Sequence, residues 1–440
     1  MGLVFTYLLT FGGAAIALVR PFVGLLVYVA FSILKPDALW FWAVQPGNYS
    51  RIVAIAVLVG WSLRLFGEWR FERGRGVVLA LGGYCLWATL SALFAFDEPL
   101  AWGFVWALAR IALPFLMGMT LIDSIAKLKQ LAWVIVLSEG FLALQFNRDY
   151  YAGLDTLHQF GFATLDNNSV AIGLVTCVAL AFFLGLKSER WWQTGVAWGA
   201  ALLMAHAVLF SLSRGGMMAL GVTGAATFVL LDKRLKHFGI FVAAALVMLR
   251  LAGPEVRSRF FTTFAADEVR DASAASRTQL WTDCWDTMLE HPVLGVGPDN
   301  WPVVAPSYGW PPGKEGHTLW LQIGAELGVP GLALLAAFYG LCVARLWPIA
   351  RGRVAVSDPW LRHLAQMVIA SLVGFAVAAQ FVSLEALETP YYVALIGAGA
   401  LKLIATRERA VCRIPQETQF EWRPDAIDAR PGQLTPLMIS

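Results

Sequence analysis

The sequence predicts an all-α polytopic integral membrane protein with 12–13 transmembrane helices and one large loop late in the chain. Three observations carry that prediction. Of 440 residues, 58% are hydrophobic and only 14% charged, against roughly 45–50% apolar and about 25% charged in soluble domains. Mean hydropathy is +0.63. Apolar runs long enough to cross a bilayer core, about 20 residues each, recur from one end to the other. A soluble enzyme is excluded. So is a nucleic-acid binder, because 33 basic against 30 acidic residues leave no cationic excess for phosphate backbones.

In chain order the apolar runs fall near 3–19, 22–34, 52–66, 77–95, 101–122, 131–147, 169–186, 194–212, 215–231, 238–253, 319–344, 363–383 and 390–405. Only Arg20-Pro21 separates the first two. That spacing predicts a tight hairpin or a partly re-entrant unit and leaves the side of the N-terminus open. No cleavable signal peptide is expected, since the first run begins at Gly2 without a basic n-region. Five cysteines, with Cys85, Cys177 and Cys342 in apolar runs, Cys284 in the large loop and Cys412 near the end, form no CxxC or Cys/His ligand spacing.

Lysine and arginine in short loops set the orientation. One set of alternate loops carries nineteen, from Arg64 through Lys127, Lys187, Lys233 and Arg345 to Arg413; the other carries four, Lys35, Arg51, Arg148 and Arg214. The rich side is predicted cytoplasmic, with the C-terminus. The chain therefore divides into N-terminal transmembrane helices (1–253), a periplasmic loop (254–317), C-terminal transmembrane helices (318–405) and a disordered cytoplasmic tail (406–440), polar and without periodicity. The loop holds nine acidic against five basic residues, and its length exempts it from the charge rule. Within it, Arg277, Leu280 or Trp281, Cys284 or Trp285, and Met288 fall on one stripe of an amphipathic helix over 274–290. The two tryptophans suit a helix lying at the membrane interface.

Three polar stretches stand out, all on the outer side. Ser213-Arg214-Gly215-Gly216 joins two apolar helices. An arginine at membrane depth is a functional candidate by default. The glycines would let a bulky ligand approach the guanidinium and the anion-attracting N–H groups of the next helix. The competing reading is an arginine that snorkels from a short loop. Arg277 offers a planar fork for phosphate oxygens, or is a surface arginine paired with Asp271 or Asp283. His317, in the run Gly316–Gln322 before a helix with Glu326 and a GVPG kink at 328–331, could serve as a general base near neutral pH, or be structural.

The order SRGG (213–216), Arg277 with Trp281, HPVLGVGPDN (291–300) and GHTLWLQIGAELGVPG (316–331) resembles the O-antigen ligase and polymerase superfamily. The resemblance is strongest over residues 200–345. Asp166-Asn167-Asn168-Ser169-Val170-Ala171 is similar to the exosortase-A-associated O-glycosylation ligases. The resemblance implies a GT-C-like membrane glycosyltransferase. Such an enzyme transfers a glycan en bloc from an undecaprenyl-diphosphate carrier to an acceptor hydroxyl on a glycan, lipid or protein. It implies no cofactor and no essential metal, the periplasmic face of a bacterial inner membrane, and no nucleic-acid partner. Arg214 and Arg277, with Gly215 and Gly216, would hold the diphosphate, and His317 would be the base. Thr318, Glu326, Asn167 and Asn168 would support them. The family often has Asn after that histidine, where this chain has Thr318, which puts the residue's orienting role in question.

On this mechanism two guanidinium groups neutralise the charge that builds on the departing diphosphate. Neutral His317 takes the proton of the attacking hydroxyl, and the anomeric carbon inverts. Glu326, two to three turns along the same helix, is expected to orient rather than react. A polymerase joining two lipid-linked repeats would need a second diphosphate pocket and more outer arginines than these plus Arg257 and Arg259. A transporter would place polar groups near the midplane and often show inverted repeats; no repeat is visible here.

Overall fold

The computed structural model describes residues 2–231, 235–251, 272–356, 358–383 and 387–412. Lys233, Arg234, Arg257, Arg259, Arg270, Asp271 and residues 413–440 of the expected tail lie outside them, whereas 406–412, expected to be disordered, continue the last helix. A helix stands at each apolar run. These are α1 (Gly2–Val19), α2 (Pro21–Leu34), α3 (Tyr49–Leu63), α4 (Arg75–Ala92), α5 (Glu98–Leu121), α6 (Ile125–Tyr151), α7 (Asn167–Leu186), α8 (Trp191–Phe210), α9 (Arg214–Leu230) and α10 (Leu235–Leu251). After the loop helix α11 (Ala272–Glu290) come α12 (Leu319–Ala350), α13 (Pro359–Ala378) and α14 (Glu388–Cys412). The described residues include one isolated β-bridge, Phe162 with Leu165, and no named strand.

Among the described residues, seven helices are long and apolar enough to cross a membrane: α1, α4, α5, α7, α8, α12 and α13. The sequence suggests more because it counts apolar runs whatever their length. Helices α2, α3 and α9, with 14, 15 and 17 residues, reach about 21–26 Å at 1.5 Å per residue, short of the roughly 30 Å core. Helices α6 and α14 are longer but carry charged residues along their length. The most enclosed elements are α7 and α13, which pack on each other and on α8 and α9 respectively.

The hairpin expected at Arg20-Pro21 forms, and bare backbone makes it tight. A Cβ on Gly24 would strike Ala17, and one on Gly60 of α3 would strike the Ala17 carbonyl. The Arg64 guanidinium donates to the Val19 carbonyl at 2.6 Å, so this turn lies at the end of the bundle that holds the basic segments. There Arg73 pairs with Glu408 at 2.9 Å, Arg345 donates to the Arg73 carbonyl and Arg351 to that of Val229. Lys402, counted with the basic loops, instead lies inside α14, 2% exposed, donating to the Met119 carbonyl at 2.7 Å.

Helix α12 is broken at Gly328 (φ 66°, ψ −174°), and the break is chemically complete. Pro330 has no N–H to offer the Glu326 carbonyl four residues back; Gly297 N–H takes its place at 3.0 Å. Val296 N–H donates to Ala325, and Val329 N–H to the Pro292 carbonyl. Trp87 of α4 donates its indole N–H to Leu327 at 2.9 Å. A side chain at Gly328 would collide with the Val293 carbonyl, and one at Gly295 with the Glu326 backbone. The GVGPDN turn thus docks into a gap made for it.

Candidate active site at the loop end of the bundle

Below the break, α12 builds a platform for the loop. Glu326, 0% exposed, accepts the backbone N–H groups of Asp299 at 3.0 Å and Trp301 at 3.1 Å. Gln322, one turn earlier, donates to Glu326 at 3.0 Å and to Glu315 at 3.1 Å, and accepts Gly316 N–H at 2.8 Å. These bonds fix the Lys314–His317 turn against the helix. His317 is held at φ 50°, a left-handed conformation that costs a non-glycine residue about 1–3 kcal/mol and tends to mark functional sites. Thr318 follows at the N-cap without capping; its hydroxyl is fully buried and has no partner among the described residues. It does not orient His317.

The SRGG segment is also strained and braced. Leu212 adopts φ 56°, and Ser213 caps α9 by accepting Gly216 N–H at 3.1 Å. Asn167 donates to the Ser211 carbonyl at 2.7 Å, with His158 Nδ1 3.2 Å from its amide. The two glycines stand close to other elements. Phe381 lies 2.6 Å from where a Gly215 Cβ would stand, and Ala171 3.0 Å from that of Gly216. Their bareness admits these neighbouring elements, and the Gly216 N–H is taken by Ser213.

Asp166 caps α7, accepting Ser169 N–H at 2.8 Å and the Asn168 amide at 3.0 Å. Helix α11 forms where the amphipathic stripe places it and packs on α12 through Leu280, Cys284 and Met288, all at most 3% exposed. Trp285 is left 47% exposed, while the Trp281 ring leans on Phe381 at 6.3 Å. Asp283, a possible partner for Arg277, bonds instead to Gln279 and to the Trp310 indole, each at 2.7 Å.

Arg277 interacts electrostatically with Arg214 and Asp166, and His317 with Arg277, Asp166 and Lys314. Four segments distant in sequence thus meet at one end of the bundle. Burial, then the like charge of Arg214, lowers the Arg277 pKa, with Asp166 opposing. Burial, then Lys314 and Arg277, pushes His317 down to about 4, so it is neutral at pH 7. Burial works to raise Asp166, but bonds from Ser169 and Asn168 and the nearby His317 outweigh it and hold the carboxyl low. Asp299 rises to about 6 through burial and Glu315. Two guanidinium groups beside a neutral imidazole can hold an anion and accept a proton next to it. Sequence reasoning passed over Lys314 and gave Asp166 no role in the site. The DxxS capping pattern and a cation three residues from His317 were the available signals.

Fold and site define a polytopic α-helical membrane protein with its chemistry gathered at one end. Residues 199–336, which contain Arg214, Arg277 and His317, match the family described as O-Antigen ligase. That match makes this part of the chain similar to the O-antigen ligase superfamily, whose members are glycosyl-transfer enzymes. Residues 1–156 match a family of unknown function (DUF5935). No curated protein matches the chain.

Proposed function

We propose that this protein transfers a glycan from an undecaprenyl-diphosphate carrier to an acceptor hydroxyl at the periplasmic face of a bacterial inner membrane. The observation that carries this reading is the meeting of Arg214 and Arg277 with a neutral His317. The guanidinium forks hold the diphosphate. Nε2 of His317 takes the hydroxyl proton while the hydroxyl oxygen bonds to the anomeric carbon. The opposite bond, from that carbon to the phosphate oxygen, breaks, and its electron pair leaves with the diphosphate, so the carbon inverts. Charge on the leaving group is met by Arg214 and Arg277, which replace a divalent cation. Asp166 caps α7 and Asn167 ties it to the turn before α9, and Glu326 supports the turn before His317.

The test is transfer by the purified full-length protein from an undecaprenyl-diphosphate oligosaccharide. Activity is expected to survive EDTA and to fall about 10²–10⁴-fold in His317→Ala, with the donor still bound. Near-normal transfer by His317→Ala would remove the base assignment. A loss in EDTA restored by Mg²⁺ would overturn metal independence.

A further inference from the structure

Charge reaches His317 from its own turn, from α11 and from the head of α7. Arg277 on α11 and Lys314 in its own turn disfavour a proton on the ring, and Asp166 at the head of α7 favours one. Glu315 accepts from Gln322 and is electrostatically linked to Asp166. Of these groups only Lys314 makes a direct side-chain contact: its Nζ lies 3.3 Å from His317 Nε2. The turn is well defined, with Gly313 N–H on the Pro302 carbonyl and Lys314 N–H on that of Pro311.

An ammonium has three donors and no acceptor, so this contact requires Nε2 to be the unprotonated nitrogen. The neutral ring then carries its proton on Nδ1. The same contact occupies the lone pair that a general base must present. A hydroxyl reaches Nε2 only after the ammonium has moved.

We propose that Lys314 is a positioning residue that selects the His317 tautomer with a free Nε2 and yields that nitrogen by moving onto the diphosphate of the donor. The proposal rests on the reading of His317 as base. Arg277 acts on His317 through its charge, so a diphosphate held by Arg277 brings anionic oxygens into the neighbourhood of Nζ. A flexible four-carbon stem carrying a point charge suits such an exchange. No covalent bond changes in it: an N–H···N contact becomes N–H···O–P, and Nε2 is left open to the acceptor hydroxyl. Donor therefore precedes acceptor.

Steady-state kinetics of Lys314→Met and Lys314→Arg against pH, in the full-length protein with an undecaprenyl-diphosphate oligosaccharide, test this. Lys314→Met keeps the stem and removes the charge. Its donor KM is expected to rise about tenfold, the size of a charge-assisted hydrogen bond. The acid limb of its kcat/KM should move up by about 0.7 of a pH unit or more, as expected from loss of a water-screened like charge near 4 Å. Lys314→Arg should keep the limb low and recover part of the donor affinity. An unchanged limb in Lys314→Met overturns the proposal whatever happens to KM, because simple binding does not require contact with Nε2. That failure leaves His317 as base. Full activity in His317→Ala would instead remove the base itself.

Discussion

The carbonyl of Glu326 accepts the N–H of Gly297 at 3.0 Å, a bond that exists because Pro330 cannot close that turn of the helix. The side chain of Glu326 then binds the same loop twice more. Glu326→Ala would leave two backbone N–H groups and Gln322 short of a partner, at about 1–3 kcal/mol for each buried group left unpaired. Protease cleavage between 291 and 317 should rise sharply and kcat should fall. Glu326→Gln keeps acceptor capacity and should lose much less. Equal protection of wild type and Glu326→Ala would show that the platform is not what holds the loop.

Acid response follows from His317. Its value in the folded chain, about 4, lies below the ordinary 6.5, so the unfolded chain binds the proton first. The associated stability is complete above pH 6.5 and declines as pH falls toward 4. For catalysis, kcat/KM should stay level from pH 7 to about 5 and drop below that. Bound diphosphate adds negative charge beside the ring, so the limb in kcat should lie at higher pH than the limb in kcat/KM. Coincident limbs near 6.5 would contradict a buried, cation-flanked base.

Replacing Arg277 separates fork from charge. Arg277→Ala should raise donor KM and also shift the His317 limb upward, since one of the cations depressing it is gone. Arg277→Lys should leave the limb low but restore the donor only in part, because an ammonium cannot bind bidentately. Arg214→Lys should likewise restore the donor in part. Full rescue by lysine at either position would show that charge alone suffices.

Orientation gives a fourth check. Reporter fusions at Arg73, Lys233 and Arg353 should read cytoplasmic, and fusions near Asp299 periplasmic, by the positive-inside rule. A cytoplasmic Asp299 would place the site on the wrong side for a lipid-linked donor presented at the outer face.

Composition and run length made the helical segments legible, because burial in lipid demands long apolar stretches whatever their neighbours. The stripe Leu280–Cys284–Met288 likewise announced the face of α11. Packing partners were not legible. Nothing local in Gly215 or Gly216 says that Phe381 and Ala171, far off in sequence, will fill the space they leave. Thr318 stands in the sequence as a supporting residue with its orienting role in question, and only the fold shows its hydroxyl buried without a partner among the described residues. His317 was conspicuous as a residue, but the fall in its pKa depends first on burial and then on Lys314 and Arg277 arriving together, a property of the assembled end.

The gap in α12 also bears on how the chain is made. Pro292, Val296 and Gly297 emerge before the residues whose N–H and carbonyl groups they complete. Ala325, Glu326 and Val329 belong to a segment that enters the bilayer afterwards. Hydrocarbon offers no substitute partner for such groups. The loop must therefore wait for the next helix, and that helix cannot settle until the loop reaches it. Biogenesis of this end of the protein is thereby coupled: insertion of α12 and docking of the 292–297 turn against it are completed together.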